Sequence, residues 1–226
     1  MIKINLTRSE YLKIGFLLLI FVGGTTGSYF MLKPKKTLPF YNPSDLNTAV
    51  VADDLEGKGR GHRIGNFHLL DQHGNNIDST ALEGKVYVAD FFFTTCPSIC
   101  VPMGEHFQVL QEQFSNHPDF ALVSHTVMPE VDSVPVLKKY ADKLGAISGV
   151  WHLLTGEKEE IYRLARRQYF AVMEPGTSFD EHDFIHTENF ILVDRHKRIR
   201  GFYDGTDPIQ IEVLKKDLEY LLSRDD

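Results

Sequence analysis

The hydrophobic pattern divides the chain into one long uncharged stretch near the N-terminus and a series of shorter apolar runs after about residue 62. Residues 14–32 carry no charge, and this length is sufficient for a helix that crosses a bilayer. Residues 86–93 are β-branched and aromatic almost throughout, which is typical of a strand buried on both faces. We therefore expect an N-terminal helix followed by a domain built around the strand that starts at Val86.

The later patterns predict alternating strands and helices. Further strands are expected at 120–127 and 150–154, hairpins at 63–76 and 189–203, an edge strand at 169–173, and helices at 104–115, 133–144 and 209–222. Thr155 is a candidate N-cap for a helix that carries Ile161 and Leu164. This order is the thioredoxin-like arrangement, an α/β fold. The sequence thus predicts a three-layer sandwich with an N-terminal β-hairpin extension and an N-terminal transmembrane anchor.

The segment boundaries are predicted from the same pattern. We expect a cytoplasmic N-terminus at 1–13, a transmembrane anchor at 14–32, a linker at 33–61 and the thioredoxin-like domain at 62–226. The aromatic stretch 38–43 is expected to pack on the domain. The alternative for the anchor is a cleaved signal peptide. Either interpretation places the domain outside the cytoplasm, which in a bacterium is the periplasmic side of the inner membrane.

The charge is distributed unevenly. The formal net charge of the 226 residues is −7. Residues 1–36 contain six basic residues and one acidic residue, a net charge of +5, so the remainder carries −12. An acidic domain argues against nucleic acid as a partner.

The candidate chemistry lies where the central strand leads into the first helix. Cys96 and Cys100 are the only cysteines of the chain. Free backbone N–H groups and the dipole at a helix N-terminus favour a thiolate, which is both a nucleophile and a metal ligand. If the segment from Cys96 is helical, residues four apart share one face, and both sulfurs point at one place.

Two structural interpretations compete with a functional cysteine pair. A disulfide closing so short a loop removes little entropy from the unfolded chain and would add little stability. A pair of buried apolar cysteines disagrees with the polar residues Thr94, Thr95 and Ser98 around them. A functional pair is therefore the prediction.

His186 is the candidate third member of the site. It lies in a polar loop just before the strand expected at residue 189, which in this fold packs beside the cysteines. Two thiolates and one imidazole form a soft ligand set that suits Cu(I), with zinc as a competitor. His182 is the alternative ligand, and Asp183 is a candidate to orient an imidazole. A solvated loop histidine is the competing interpretation of His186.

The sequence resembles the Sco/SenC family of copper-binding cytochrome c oxidase assembly proteins. The resemblance covers roughly residues 62–222 and the anchor. The matching stretches are 64–67, 71–74, 90–100, 137–141, 151–156 and 183–187. The spacing of the two cysteines with a downstream histidine is the most specific of these features.

The resemblance implies a membrane-anchored copper protein. It implies that Cys96, Cys100 and His186 bind copper as Cu(I) or Cu(II). It further implies that the protein delivers copper to the dinuclear site of oxidase subunit II, or reduces the cysteines there. Other copper chaperones and thioredoxin-like reductases are further expected partners.

Two positions depart from the family pattern. Val101 separates Cys100 from Pro102, and Met128 replaces an aspartate of the family. Met103 and Met128 could add soft ligands, although core methionines are the simpler interpretation.

Three other functions remain open. A metal-free thiol–disulfide oxidoreductase would use Cys96 as the attacking thiolate and Cys100 as the resolving thiol. A thiol peroxidase would show rapid oxidation of one cysteine by peroxide. A purely structural interaction module would tolerate the loss of both cysteines.

Overall fold

The N-terminal part of the chain forms a single long helix. The computed structural model describes residues 7–32, 37–46, 61–171 and 187–224, and the chain divides into two compact units, Met1–Thr37 and Leu38–Asp226. The first unit contains helix α1 (Arg8–Leu32). Its segment Tyr11–Tyr29 is long and apolar enough to cross a membrane, and none of it is buried. A signal sequence has the same length and composition.

The second unit is a mixed α/β domain. Its strands are β1 (His68–Leu70), β2 (Asn76–Asp78), β3 (Val86–Phe92), β4 (Phe120–Thr126), β5 (Trp151–Leu154), β6 (Asn189–Val193) and β7 (Ile199–Asp204). Its helices are α2 (Cys100–Phe114), α3 (Val134–Leu144), α4 (Lys158–Arg163) and α5 (Pro208–Leu222). A π-helical turn, Leu164–Gln168, continues α4.

One five-stranded sheet forms the middle layer, in the order β5-β4-β3-β6-β7. Strands β3, β4 and β5 are parallel, whereas β6 and β7 run antiparallel to their neighbours. Every residue of β3 is buried, because alternate side chains enter two separate cores. Helices α2, α3 and α5 cover one face and enclose the first core, and α4 with the β1–β2 hairpin covers the other face and encloses the second core. The predicted three-layer architecture is confirmed.

The β1–β2 hairpin protects one edge of this sheet. Gln72, in the hairpin turn, donates from Nε2 to the carbonyl of Trp151 (2.8 Å) and accepts from the N–H of Leu153 (2.9 Å). Its side chain thus takes the place of a neighbouring strand along β5. Pairing an edge in this way prevents it from recruiting another chain.

A short segment ahead of the hairpin also belongs to the domain. We call residues 38–46 the strap. Leu38 is buried, the N–H of Tyr41 donates to the carbonyl of Ile199 (3.1 Å), and Arg200 Nη2 donates to the carbonyl of Leu38 (2.9 Å). The strap packs on the domain as its aromatic residues predict, so the compact unit begins upstream of residue 62. Residues 47–60 lie outside the described part of the chain.

Two local predictions at one end of the domain are wrong. Thr155 does not cap a helix, because its N–H and carbonyl both pair with Leu70; Glu157 precedes α4 instead. Residues 169–171 are not a strand: Tyr169 ends the π-helical turn, and Phe170 has a positive φ of 52°. Burial of these aromatic rings, and not strand pairing, accounts for their hydrophobicity.

Candidate metal centre

The two cysteines lie at the end of the central strand, as the sequence predicts. After β3 the chain turns at Thr94 and Thr95, and the N–H of Cys96 donates to the carbonyl of Phe93 (3.2 Å). Cys100 is the first residue of α2. Both are free thiols, and Cys100 is near enough to lower the pKa of the Cys96 thiol.

The helix begins four residues earlier than the prediction of 104. Pro102 lies in its first turn, where a backbone N–H has no partner within the helix and proline is well tolerated. Cys96 is outside the helix, so the sulfurs do not share a helix face. They meet because the loop before Cys100 folds Cys96 back over the start of α2.

This geometry stabilises negative charge on Cys96. Partial burial acts to raise the pKa of the Cys96 thiol, but hydrogen bonds from the Cys100 thiol and from the backbone N–H groups of Ser98 and Cys100 outweigh it, so the pKa is lowered. The Ser98 hydroxyl oxygen also lies 3.9 Å from the Cys96 sulfur. Cys96 is therefore the thiol that ionises first and reacts first.

Cys100 has the opposite character. Its side chain is buried in the first core. Burial, followed by its hydrogen bond to Cys96, raises the pKa of the Cys100 thiol to about 12, and the nearby Asp90 carboxyl adds to this effect. Cys100 keeps its proton until a metal ion or a disulfide partner displaces it.

A buried carboxyl lies on the same face of the sheet as Cys100. Asp90 is in β3, and burial raises its pKa to about 7, although a hydrogen bond from Ser124 opposes the shift. The Ser124 hydroxyl also accepts from Trp151 Nε1 (2.9 Å). Among the residues that the structure describes, the second carboxyl oxygen, Oδ1, has no hydrogen-bond partner. The cysteine pair therefore lies close to a carboxyl whose protonation state is sensitive to its surroundings.

Tyr140 of α3 also borders the site. Its ring stacks on Phe92 with the ring centres 5.5 Å apart. Its pKa is raised by burial and then by the proximity of Cys100 and Asp90. Helical periodicity alone does not show that Tyr140 meets the end of the sheet where the cysteines lie.

The two methionines have the environments of core residues. Met103 is buried in the first core beneath α2, and half-buried Met128 packs against the second core. The simpler interpretation of both therefore fits their surroundings.

The candidate third ligand lies outside the described residues. This is true of His186, of its alternative His182 and of Asp183. The described chain resumes at Thr187, which is buried. Since β6 runs antiparallel to β3, the chain enters β6 at the end of the sheet where β3 leads to Cys96.

The entrance to β6 is tied to the cysteine helix. The N–H of Gly205 donates to the carbonyl of Glu188 (2.6 Å), and the carbonyl of Gly205 accepts from His106 Nδ1 of α2 (2.7 Å). A side chain at Gly205 would place its Cβ 2.9 Å from the carbonyl oxygen of Glu188. Glycine thus permits the close approach that links α2 to the start of β6.

Within the described ranges, no group of three or more histidine, cysteine or acidic side chains could hold a metal ion. The cysteine pair is thus the soft-donor site of the described domain. Its lowered Cys96 pKa and adjacent second sulfur fit a thiophilic ion or a dithiol–disulfide reaction.

Comparison with known proteins identifies the family of the chain. The family model SCO1/SenC matches residues 56–223. The SCO1 protein homolog of Bacillus subtilis is 32% identical over 143 residues, covering 62% of this chain and 73% of that protein.

Solved structures of Sco proteins are also similar to this chain. BsSco, a member of the Sco family of cytochrome c oxidase assembly proteins, is 28% identical with a TM-score of 0.59, over 74% of this chain and 96% of that one. Bradyrhizobium japonicum ScoI with copper bound shares the fold, with a TM-score of 0.55 and 23% identity over 71% of this chain and 99% of that one. Since the family model spans well over half of the residues, this chain belongs to the SCO1/SenC family.

Proposed function

We propose that this chain binds copper and serves in cytochrome c oxidase assembly, where it delivers copper to the dinuclear site of subunit II. The observation that carries the proposal is the Cys96–Cys100 pair, with one ionisable thiol and one buried thiol at the start of α2. Paired sulfur donors favour copper over hard cations. Membership of a family that includes an oxidase assembly protein supplies the process.

In this proposal Cys96, Cys100 and His186 hold the copper ion. Cys96 is the first ligand to engage, because its sulfur is partly exposed and ionises more readily. Binding to Cys100 releases a proton, so uptake of copper is favoured by rising pH. The position at which the chain enters β6 supports His186 as the third ligand, with His182 as its alternative.

We place the domain on the periplasmic side of the inner membrane, held there by α1. The apolar segment Tyr11–Tyr29 supports an anchor. Other copper chaperones or thioredoxin-like reductases would supply copper or electrons to the cysteine pair, because copper binds only to the reduced dithiol.

The unequal thiols also favour a second function, a thiol–disulfide oxidoreductase. The Cys96 thiolate attacks a client disulfide, and one client sulfur leaves as a thiolate. The Cys100 thiol then loses its proton and attacks Cys96 in the mixed disulfide, which releases the second client thiol. The client gains two electrons, and this domain becomes the Cys96–Cys100 disulfide.

Copper titration of the reduced full chain in detergent micelles tests the first function. We expect one copper ion per chain and a loss of affinity of more than about tenfold for Cys96→Ser, Cys100→Ser and His186→Ala. His182→Ala is the matched control and retains wild-type affinity. Unchanged copper affinity in His186→Ala would show that His186 is not a ligand. A wild-type chain that reduces disulfides but does not bind copper would favour the second function.

A further inference from the structure

A second carboxylate near the cysteine loop is fully buried. Asp132 lies between β4 and α3, and its residue is 0% exposed. Its oxygens accept hydrogen bonds from the backbone N–H of Thr94 (3.1 Å), from the Thr94 hydroxyl (2.5 Å) and from the Thr126 hydroxyl. Three donors converging on one buried carboxylate indicate an assembled polar site, since burying a charge is costly unless it is fully hydrogen-bonded.

The carboxylate connects the ends of the two central strands. Thr126 ends β4 and pairs in register with Phe92, which ends β3. The N–H of Val127 also donates to the carbonyl of Phe92 (2.8 Å), and Asp132 accepts from Thr94 two residues further along. Thr94 is two residues before Cys96.

Other contacts fix only part of the cysteine loop. Phe93, Cys96 and Ile99 pack against the first core, and the N–H of Cys96 donates to the carbonyl of Phe93. Thr95, Pro97 and Ser98 between them are exposed, so their side chains contribute little packing to hold the turn. Both hydrogen bonds from Thr94 end on Asp132. The Thr94–Asp132 contact is thus the side-chain hydrogen bonding that fixes the turn ahead of Cys96, where the Ser98 and Cys100 N–H groups meet the Cys96 sulfur.

We propose that Asp132 is a positioning residue for Cys96, acting through Thr94 to hold the loop that brings the Cys96 sulfur to the start of α2. The inference deepens the proposed function, since it concerns a proposed copper ligand, but it does not require copper.

The Thr94 and Thr126 hydroxyls provide a matched pair of variants. Thr94→Val and Thr126→Val each remove one hydroxyl from the same carboxylate, but only Thr94 belongs to the cysteine loop. Thr94→Ser keeps the hydroxyl and tests rescue. Asp132→Asn cannot accept hydrogen bonds at both side-chain positions.

The experiment is the pH profile of Cys96 alkylation by iodoacetamide, measured without copper on the full chain in detergent micelles. For Thr94→Val and Asp132→Asn we expect the midpoint to rise by about half a unit to one unit, the effect of weakening one hydrogen bond to the thiolate. Thr94→Ser and Thr126→Val should keep the wild-type midpoint. The Thr94→Val/Asp132→Asn double variant should shift no further than the single variants, because both act on one contact.

Unchanged profiles in Thr94→Val, or an equal shift in Thr126→Val, would overturn the proposal. The threonine variants decide this even if Asp132→Asn does not fold. Because the assay contains no copper, a wild-type chain that fails to bind copper would contradict the proposed function without affecting this result.

Discussion

At the scale of single residues, one short motif gives two thiols different chemistry. Cys96 is partly exposed, and its sulfur accepts hydrogen bonds from backbone N–H groups. Cys100 is buried at the start of α2. The difference comes from the loop that precedes the helix. An exposed thiolate next to a protonated partner can begin a metal-binding or exchange reaction that the partner completes.

The hydrogen bond between the two thiols makes a direct prediction. Cys100→Ala removes the side-chain donor to Cys96, so the pKa of Cys96 should rise, and its alkylation below that pKa should slow by about threefold or more. Cys100→Ser retains a hydroxyl donor and is the control that should preserve the wild-type profile. Equal profiles in wild type and Cys100→Ala would show that the backbone N–H groups alone set the reactivity.

Two buried titratable residues have opposite effects on stability. Burial raises the pKa of Asp90 from 3.8 to about 7. Burial lowers the pKa of His125 from 6.5 to about 4, against the opposing hydrogen bond to the carbonyl of Asp90. As pH rises from about 4 to 6.5, Asp90 makes the folded state less stable and His125 makes it more stable. Each slope is about 1.4 kcal/mol per pH unit, so the two nearly cancel.

When one of the two residues is replaced, the unfolding free energy should show the pH dependence that the other residue causes. Between pH 4 and 6.5 the unfolding free energy of Asp90→Asn should rise with pH, and that of His125→Phe should fall with pH. Urea unfolding followed by fluorescence of Trp151, the single tryptophan, reports the domain. Parallel pH dependences for both variants and the wild type would contradict this account.

At the scale of secondary-structure elements, the site depends on how α2, β3 and β6 meet. Strand β3 leads into the loop that contains Cys96, and α2 begins at Cys100. The hydrogen bonds of Gly205 link α2 to the entrance of β6. The proposed ligand His186 lies just before that entrance. The relative positions of these elements should thus control the affinity for copper.

Gly205→Ala tests that link. Its Cβ would lie 2.7 Å from the ring of Phe190 and 2.9 Å from the carbonyl oxygen of Glu188, so the start of β6 must shift. We expect copper affinity to fall about tenfold, the lower end of the effect of disturbing residues around metal ligands. Gly84→Ala is the control: its φ of +74° strains an alanine, but nothing lies within 4 Å of the added Cβ. Equal copper affinities in the two variants would refute a role for β6 placement.

The elements differ in how far the sequence determines them. Strand β3, the two hairpins, α3 and α5 follow directly from periodicity and turn residues, because one local pattern decides each. Thr155 and residues 169–171 differ from the prediction because tertiary pairing with Leu70 and burial of aromatic rings override local preference. Helix α2 begins before the predicted residue 104 because the sequence pattern around Pro102 is not strongly helical.

In the site, too, the sequence predicts local features but not contacts between distant residues. Cys96 and Cys100 are recognisable because two thiols between a strand and a helix are a local signal. The contact between Asp132 and Thr94 joins residues 38 positions apart, and periodicity carries no information about such a pair. The sequence pattern also does not predict the loop that places Cys96 outside the helix.

At the scale of the whole molecule, the domain includes the strap that precedes its first hairpin. Arg200 is buried, and its guanidinium pairs with Asp194 (2.9 Å) and donates to the carbonyls of Leu38 and Pro39. The ring of Phe40 lies 4.3 Å from the same guanidinium carbon. One arginine thus joins the strap to β7 through charge, hydrogen bonds and a cation–π contact.

Arg200→Gln should destabilise the domain by about 2–4 kcal/mol, because it leaves strap carbonyls without donors and weakens the pairing of a buried carboxylate. Arg198→Gln is the matched control: Arg198 also pairs with Asp194 and stacks on Phe40, but it is more exposed. Its loss should be smaller. Urea unfolding of both variants provides the comparison, and equal losses would mean that the strap contacts contribute little.

The central claim is that copper is held by two sulfurs and one imidazole. X-ray absorption at the copper edge of the reduced, copper-loaded full chain tests it most directly. The account predicts sulfur scattering from Cys96 and Cys100 together with an imidazole signal that disappears in His186→Ala while the sulfur signal remains. A copper environment with no sulfur, or an imidazole signal that persists in His186→Ala, would contradict it.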